Sequence, residues 1–196
     1  MALTKKGMER KQYIQEKAAL VFKRRGFTVV TMKDIVEECK MSRGGLYKYY
    51  SSTKEIFVDI LSFDKQGDYS IFINGMENNK NAIEIIENFL RIQKDELENI
   101  ENSIRVAVYE FFLSNTNYSS DAILEKYYIE SLYILSQTLK YGIERKDITK
   151  LQLNEVEKYA NHIMALLEGL NILVISKRLP PNQIYKQLDL IISSLN

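Results

Sequence analysis

The 196-residue chain has no tryptophan, one cysteine, one histidine and two prolines. Each shortage excludes something. Cys39 has no second cysteine with which to close an internal disulfide, and its place on the apolar side of a helical pattern makes it a small core residue. With His162 as the lone histidine, no spacing of Cys and His is available to hold a metal ion, so the expected sets of metal ligands, cofactors and catalytic residues are all empty. No phosphate-cradling glycine loop and no nucleophile elbow occurs, which leaves an all-α enzyme as a distant alternative. The longest run free of Asp, Glu, Lys and Arg is residues 111–120, too short to span a bilayer, and the first residues contain no apolar stretch of the secretory type. These absences predict a cytoplasmic protein with no membrane partner.

Charge is present in quantity and is unevenly placed. The whole chain carries 27 Lys+Arg against 26 Asp+Glu. Residues 1–60 hold 13 basic and 7 acidic side chains, a net of +6, whereas residues 61–196 hold 14 and 19, a net of −5. A basic head on an acidic body is the pattern of a nucleic-acid-binding module whose partner is held at one end only.

Within that head, residues 31–55 read as two short helices and the start of a third. Met32, Ile35, Val36 and Cys39 recur at the spacing of one helical face, with Thr31 and Asp34 forming a capping box ahead of them. The pattern breaks at residues 40–42, and Ser42 caps a second helix over about residues 43–50. This is a helix-turn-helix spanning about residues 31–50, whose second helix would enter the major groove. Arg43 offers a fork of donors for guanine or phosphate, Gly44 and Gly45 permit close approach of the backbone, and Tyr47, Lys48 and Tyr49 offer further contacts. Lys33 joins them as a basic residue of the first motif helix. Upstream, about residues 8–25 form a helix ended by Gly26, and Phe22, Phe27, Ile35, Leu46 and Tyr50 are the expected core. Downstream, Ser52 and Glu55 make a second capping box, and Lys54 in that first turn would suit a bound phosphate.

From residue 61 onward the pattern is helical throughout, with breaks near residues 75–81, 99–103, 115–120, 145–153 and 178–182, so the fold class is all-α. The domains expected are a DNA-binding domain over 1–52 and a helical effector-binding and dimerisation domain over 53–196. The penultimate helix has two apolar faces. Val156, Ala160, Ile163, Leu167 and Leu170, with Ile184, Leu188 and Ile191 of the last helix, are assigned to a four-helix interface between two copies; Tyr159, Leu166 and Leu173 form the other face. Aromatic and polar residues of the body, Phe63, Phe89, Arg105, Tyr109, Glu110, Tyr127, His162 and Glu168, are candidate effector ligands.

Ala18, Phe22, Gly26-Phe27, Thr31, Asp34-Ile35, Ser42-Arg43-Gly44, Leu46-Tyr47, Tyr49-Tyr50 and Lys54-Glu55 together resemble the tetracycline-repressor (TetR/AcrR) family of bacterial transcription regulators over about the first sixty residues. The resemblance implies a homodimer whose paired heads grip a palindromic operator in double-stranded DNA, usually as a repressor, with a small-molecule effector in the body altering the spacing of the heads. By position it implies phosphate contacts from Thr31, Tyr49 and Lys54, and base-edge positions for Arg43, Gly44 and Tyr47. Three places depart from the family pattern: Lys40 where glycine is common in the turn, Gly45 where a small side chain often reads a base, and one additional residue between Tyr50 and Lys54. A DNA-binding protein switched by a protein partner, with no small-molecule pocket, is the alternative.

Overall fold

Helix α1 (Lys5–Arg25) begins three residues earlier than its apolar pattern suggests, because the Thr4 side chain caps it by accepting from the Gly7 N–H at 3.3 Å. It stops where expected. Gly26 sits at φ 77°, a conformation that costs little only without a Cβ, and Lys23, Arg24 and Arg25 face the negative end of the helix dipole. The computed structural model describes residues 4–114 and 121–195, with the side chains of 63–68, 121–124 and 181–182 outside that description. Among the described residues no strand occurs, and eight further α-helices follow: α2 (Met32–Cys39), α3 (Arg43–Tyr47), α4 (Thr53–Glu77), α5 (Ala82–Glu98), α6 (Arg105–Ser114), α7 (Asp121–Glu144), α8 (Val156–Ile175) and α9 (Pro181–Ser193). Short 3₁₀ turns lie at Ile100–Asn102 and Leu153–Glu155. The expected break at residues 115–120 falls outside the described residues.

The chain divides into two compact units, and the division differs from a cut at residue 52. The first unit holds residues 1–65 together with 101–115; the second holds 66–100 and 116–196. Helix α6, from the middle of the expected effector domain, thus folds with the head. Size explains this. Helices α1 to α3 cannot enclose an interior by themselves, and the apolar side chains that complete it come from α4 and α6. Phe22, Phe57 and Phe111 are fully buried; Phe27, half-buried, lies 5.0 Å from the Phe57 ring and 4.8 Å from that of Phe111. Phe22 meets Phe57 edge-on at 4.7 Å, so four aromatic rings from four segments close one cluster. Ile35, Leu46 and Tyr50 are buried as the pattern requires.

The second unit is built around Phe72 of α4, the apolar faces of α5 and α7, and α8 with α9. Here the structure reverses an expectation. Val156, Ala160, Ile163, Leu167, Leu170, Ile184, Leu188 and Ile191 are all buried within the chain's own core, at 5 % exposure or less. Residues so enclosed are not available to a second subunit. The face of Tyr159, Leu166 and Leu173 is covered only in part: Tyr159 and Leu166 are half-buried against the same core, whereas Leu173 is 38 % exposed with Ile172 beside it at 45 %, and α9 adds Tyr185 at 41 % and Leu190 at 60 %. Both stripes on α8 are apolar and both are helical in period; the stripe packed into the core that α8 shares with α7 and α9 is the one fully covered.

Asp34 links the cap of α2 to the rest of the head. Its carboxylate accepts from the Thr31 hydroxyl at 2.6 Å and the Thr31 N–H at 2.8 Å, and pairs with Arg25 of α1 at 2.5 Å. Those two bonds from Thr31, then Arg25, outweigh a partial burial and bring its pKa down to about 2. A folded-state pKa below the unfolded value of about 3.9 means that the carboxylate's contribution is complete above pH 4 and is lost as pH falls toward 2. Urea melts of the wild type and of Asp34→Asn are therefore expected to differ most at neutral pH, with the gap closing between about pH 4 and pH 2.

Candidate nucleic-acid interface

Two local constraints set the presentation of α3. Lys40 closes α2 in the left-handed conformation, φ 50° and ψ 44°, with its N–H donating to the Glu37 and Val36 carbonyls. Ser42 then opens α3 by accepting from the Gly45 N–H at 3.1 Å. The two glycines of α3 serve different ends. A Cβ on Gly45 would stand 3.1 Å from the Ser42 Oγ and 3.4 Å from the Met41 Cε, pressing on the cap itself. A Cβ on Gly44 would meet nothing within 4 Å, so the bare backbone there faces open space in which a duplex can approach. The α-helical part ends at Tyr47, and Lys48 and Tyr49 continue as a turn rather than as helix to residue 50.

The surface so formed is basic and accessible. Arg43, Gly44, Lys48 and Ser42 are exposed, and Tyr47 is 53 % exposed; Tyr49 and Gly45 are half-buried. Thr31 and Lys33 are exposed at the start of α2. The Thr31 hydroxyl already donates to Asp34, so its approach to a phosphate competes with the cap, and Lys33 lies 3.8 Å from Glu37 in a solvated pair of little strength. At the start of α4, Glu55 accepts from the Ser51 N–H and Oγ at 2.7 and 2.8 Å, while the Ser52 Oγ accepts from the Glu55 N–H. This helix end is capped from within: the Ser52 half of the expected box is present, while the return bonds of the Glu55 carboxylate go to Ser51, one residue earlier, and Lys54 is half-buried beside it.

Asp59 holds α3 to its support. From α4 it accepts from the Tyr50 hydroxyl at 2.9 Å and from Gln15 of α1 at 3.2 Å, and it pairs with Lys11 of α1. Burial pushes its pKa up, but the bonds from Lys11, Tyr50 and Gln15 together prevail and leave it lowered. The Tyr50 hydroxyl is driven upward by burial and by the Asp59 charge, so it stays a proton donor. Sequence reading placed Tyr50 in the core but missed its partner, because Lys11, Gln15 and Asp59 look like ordinary solvated residues until α1 and α4 cross.

The candidate effector ligands divide between the two units. Arg105, Tyr109 and Glu110 lie on α6 in the first unit, whereas Phe89, Tyr127, His162 and Glu168 lie in the second. Phe89 is half-buried against Phe72 at 4.9 Å, and Tyr127 is buried. His162 and Glu168 are exposed on α8, and the Phe63 side chain lies outside the described residues. Glu110 accepts three hydrogen bonds from residues 27 and 28 of the head, so its carboxylate is engaged with protein rather than aimed at a ligand.

A capped, basic, exposed helix of a helix-turn-helix on a small helical head, with a larger helical unit behind it in the chain, defines a DNA-binding transcription regulator. Comparison with known proteins makes the class specific. Residues 14–60 match the family described as bacterial regulatory proteins, tetR family, and residues 85–177 match the tetracyclin repressor-like C-terminal domain. The chain belongs to the TetR family of bacterial transcription regulators. It is 30% identical over 152 residues to the uncharacterized HTH-type transcriptional regulator YfiR of Bacillus subtilis, covering 76% of this chain and 74% of that one. In fold it is similar to the fatty acid degradation regulator FadR of Bacillus halodurans, with a TM-score of 0.74 at 14% identity over 95% of this chain and 96% of that one. It is also similar to the TetR family regulator CifR, as a cysteine mutant in complex with 26-bp operator DNA, with a TM-score of 0.70 at 16% identity over 100% and 98% of the two chains. Among the described residues no helix is long and apolar enough to cross a membrane.

Lys40 offers a test of the turn. Replacement by glycine relieves a left-handed side chain and is expected to stabilise the fold by about 1 kcal/mol in chemical denaturation. If the Lys40 ammonium also meets a phosphate, the same variant should lower the salt slope of DNA binding by about one.

Proposed function

We propose that this regulator is a repressor that binds an inverted-repeat operator as a homodimer and releases it when a small apolar molecule enters the second unit. The observation that carries the reading is the exposed α3, where Arg43, Gly44, Tyr47 and Lys48 present donors and bare backbone on a head of net charge +6 over residues 1–60. Thr31, Lys33, Tyr49 and Lys54 flank that helix and supply the phosphate contacts that fix its register, and Ser42 and Gly45 hold its first turn open to the groove.

Dimerisation is supported by what α8 and α9 leave in water. Ala165, Gly169, Ile172 and Leu173 are exposed on α8, and Tyr185 and Leu190 on α9. Gly169 is a mid-helix glycine with nothing within 4 Å of a Cβ built on it, so no packing within the chain accounts for it; close approach of a second α8 does. Effector binding is supported by the kinds of side chain that the second unit buries: the Phe72–Phe89 pair, Tyr127, and the polar Gln93 and Asn171, types from which a site for an apolar or aromatic molecule with a polar group is built.

Selection of bound DNA from a random pool is expected to return an inverted repeat, with affinity falling steeply between low and moderate salt. Enrichment of single half-sites only would contradict the dimer. Leu173→Asp should convert the dimer to a folded monomer by sedimentation velocity with unchanged helical circular dichroism, and should weaken operator binding at least tenfold because two linked heads become independent.

A further inference from the structure

We propose that Glu110 is a positioning residue for operator reading: its carboxylate closes the turn between α1 and α2 and so sets the attitude of the helix-turn-helix. This rests on the operator-binding reading above. The turn after α1 does not satisfy its own backbone. The Gly26 N–H returns to the Phe22 carbonyl at 2.8 Å, but the next two N–H groups, of Phe27 and Thr28, are satisfied by a side chain instead. Both donate to the Glu110 Oε2, at 2.7 and 3.1 Å, and the Thr28 hydroxyl adds a third bond to the same oxygen at 3.2 Å. Successive backbone donors in a turn make a small anion site, and the anion here is a side chain 82 residues away from Thr28 in sequence.

Gly26 is matched to that carboxylate. Beyond its φ of 77°, a Cβ at this position would stand 2.6 Å from the Glu110 Oε1, so the glycine makes room for the group that closes the turn. Phe111, the next residue of α6, fixes the approach by packing on Phe27 at 4.8 Å and on Phe57 at 5.2 Å. The consequence runs forward along the chain. Thr28 lies three residues before Thr31, the cap of α2, and Arg25, just before Gly26, is the residue paired with Asp34. Loosening the turn therefore frees both the start of α2 and the α1–α2 brace, and α3 is carried on α2.

The sign of the effect separates positioning from simple charge. Removing an acidic side chain raises the net charge of the protein, which by itself strengthens attraction to phosphates. Loss of positioning weakens recognition of the operator instead. In titrations of the full-length protein with the selected operator and with random DNA of equal length, Glu110→Ala is expected to weaken operator binding about tenfold while random-DNA affinity stays the same or rises, with the salt slope unchanged. Glu110→Gln loses the same charge but keeps an acceptor oxygen, and should recover most of the operator affinity. Thr28→Val should weaken operator binding in the wild type and do nothing further in Glu110→Ala, since both remove the same bond. Should Glu110→Ala not fold, the Gln and Val variants carry the test. A Glu110→Ala protein that binds operator as tightly as the wild type, or loses equally on both DNAs, would overturn the proposal. Failure of the wild type to prefer any sequence would instead remove the operator-binding reading on which it rests.

Discussion

A head of one long helix and two short ones has too little interior to stand alone, and most of the particular features of this chain follow from that constraint. Ile14, Ala18, Phe22, Ile35 and Leu46 are fully buried, but they are enclosed only because α4 contributes Ile56 and Phe57 and α6 contributes Phe111. The aromatic cluster of Phe22, Phe27, Phe57 and Phe111 is where these segments meet, and the polar contacts of Asp59 and Glu110 lie on its supporting helices. Apolar burial supplies cohesion without direction. The charged hydrogen bonds supply direction, fixing which way α3 and the α1–α2 turn face.

The same head carries its costs in the open. Lys40 occupies a left-handed position where glycine would be free of strain, and α3 contains two glycines in five residues, which a helix formed for stability alone would avoid. Caps offset these costs. Thr31 with Asp34, Ser42, and Ser51 with Glu55 each close a helix start within three or four residues of sequence. A surface that must meet a duplex cannot be covered by protein, so its helices are held by their ends and undersides instead of by burial on all sides.

Much of this was legible along the chain. The Thr31–Asp34 and Ser42 caps, the Gly26 stop and the apolar faces of α1 and α2 are local features, decided by residues within one or two turns, and they were read at the correct positions, whereas the Thr4 cap of α1 was missed. Non-local choices were not. Val156, Ala160, Ile163, Leu167 and Leu170 on one face of α8, and Tyr159, Leu166 and Leu173 on another, are both apolar and both periodic; a helical period marks a face without naming its partner. Glu110 showed the same limit: a carboxylate beside aromatic residues on a helix looks alike whether a ligand or a backbone turn awaits it. The domain cut at residue 52 followed chain order, whereas α6 returns to the head from residue 105.

The sequence by itself determined the class of the molecule: all-α, basic at one end, with a capped helix-turn-helix whose residue types and spacing are those of a DNA-reading head. These are properties of nearest neighbours and of one turn of helix, where backbone geometry leaves few alternatives. Tertiary structure alone decided which α8 stripe is buried, that α6 completes the head, and that Glu110 and Asp59 serve the recognition motif from a distance. Each of those is settled by which surfaces come to exclude water together, and that competition among similar faces is resolved only when the helices pack.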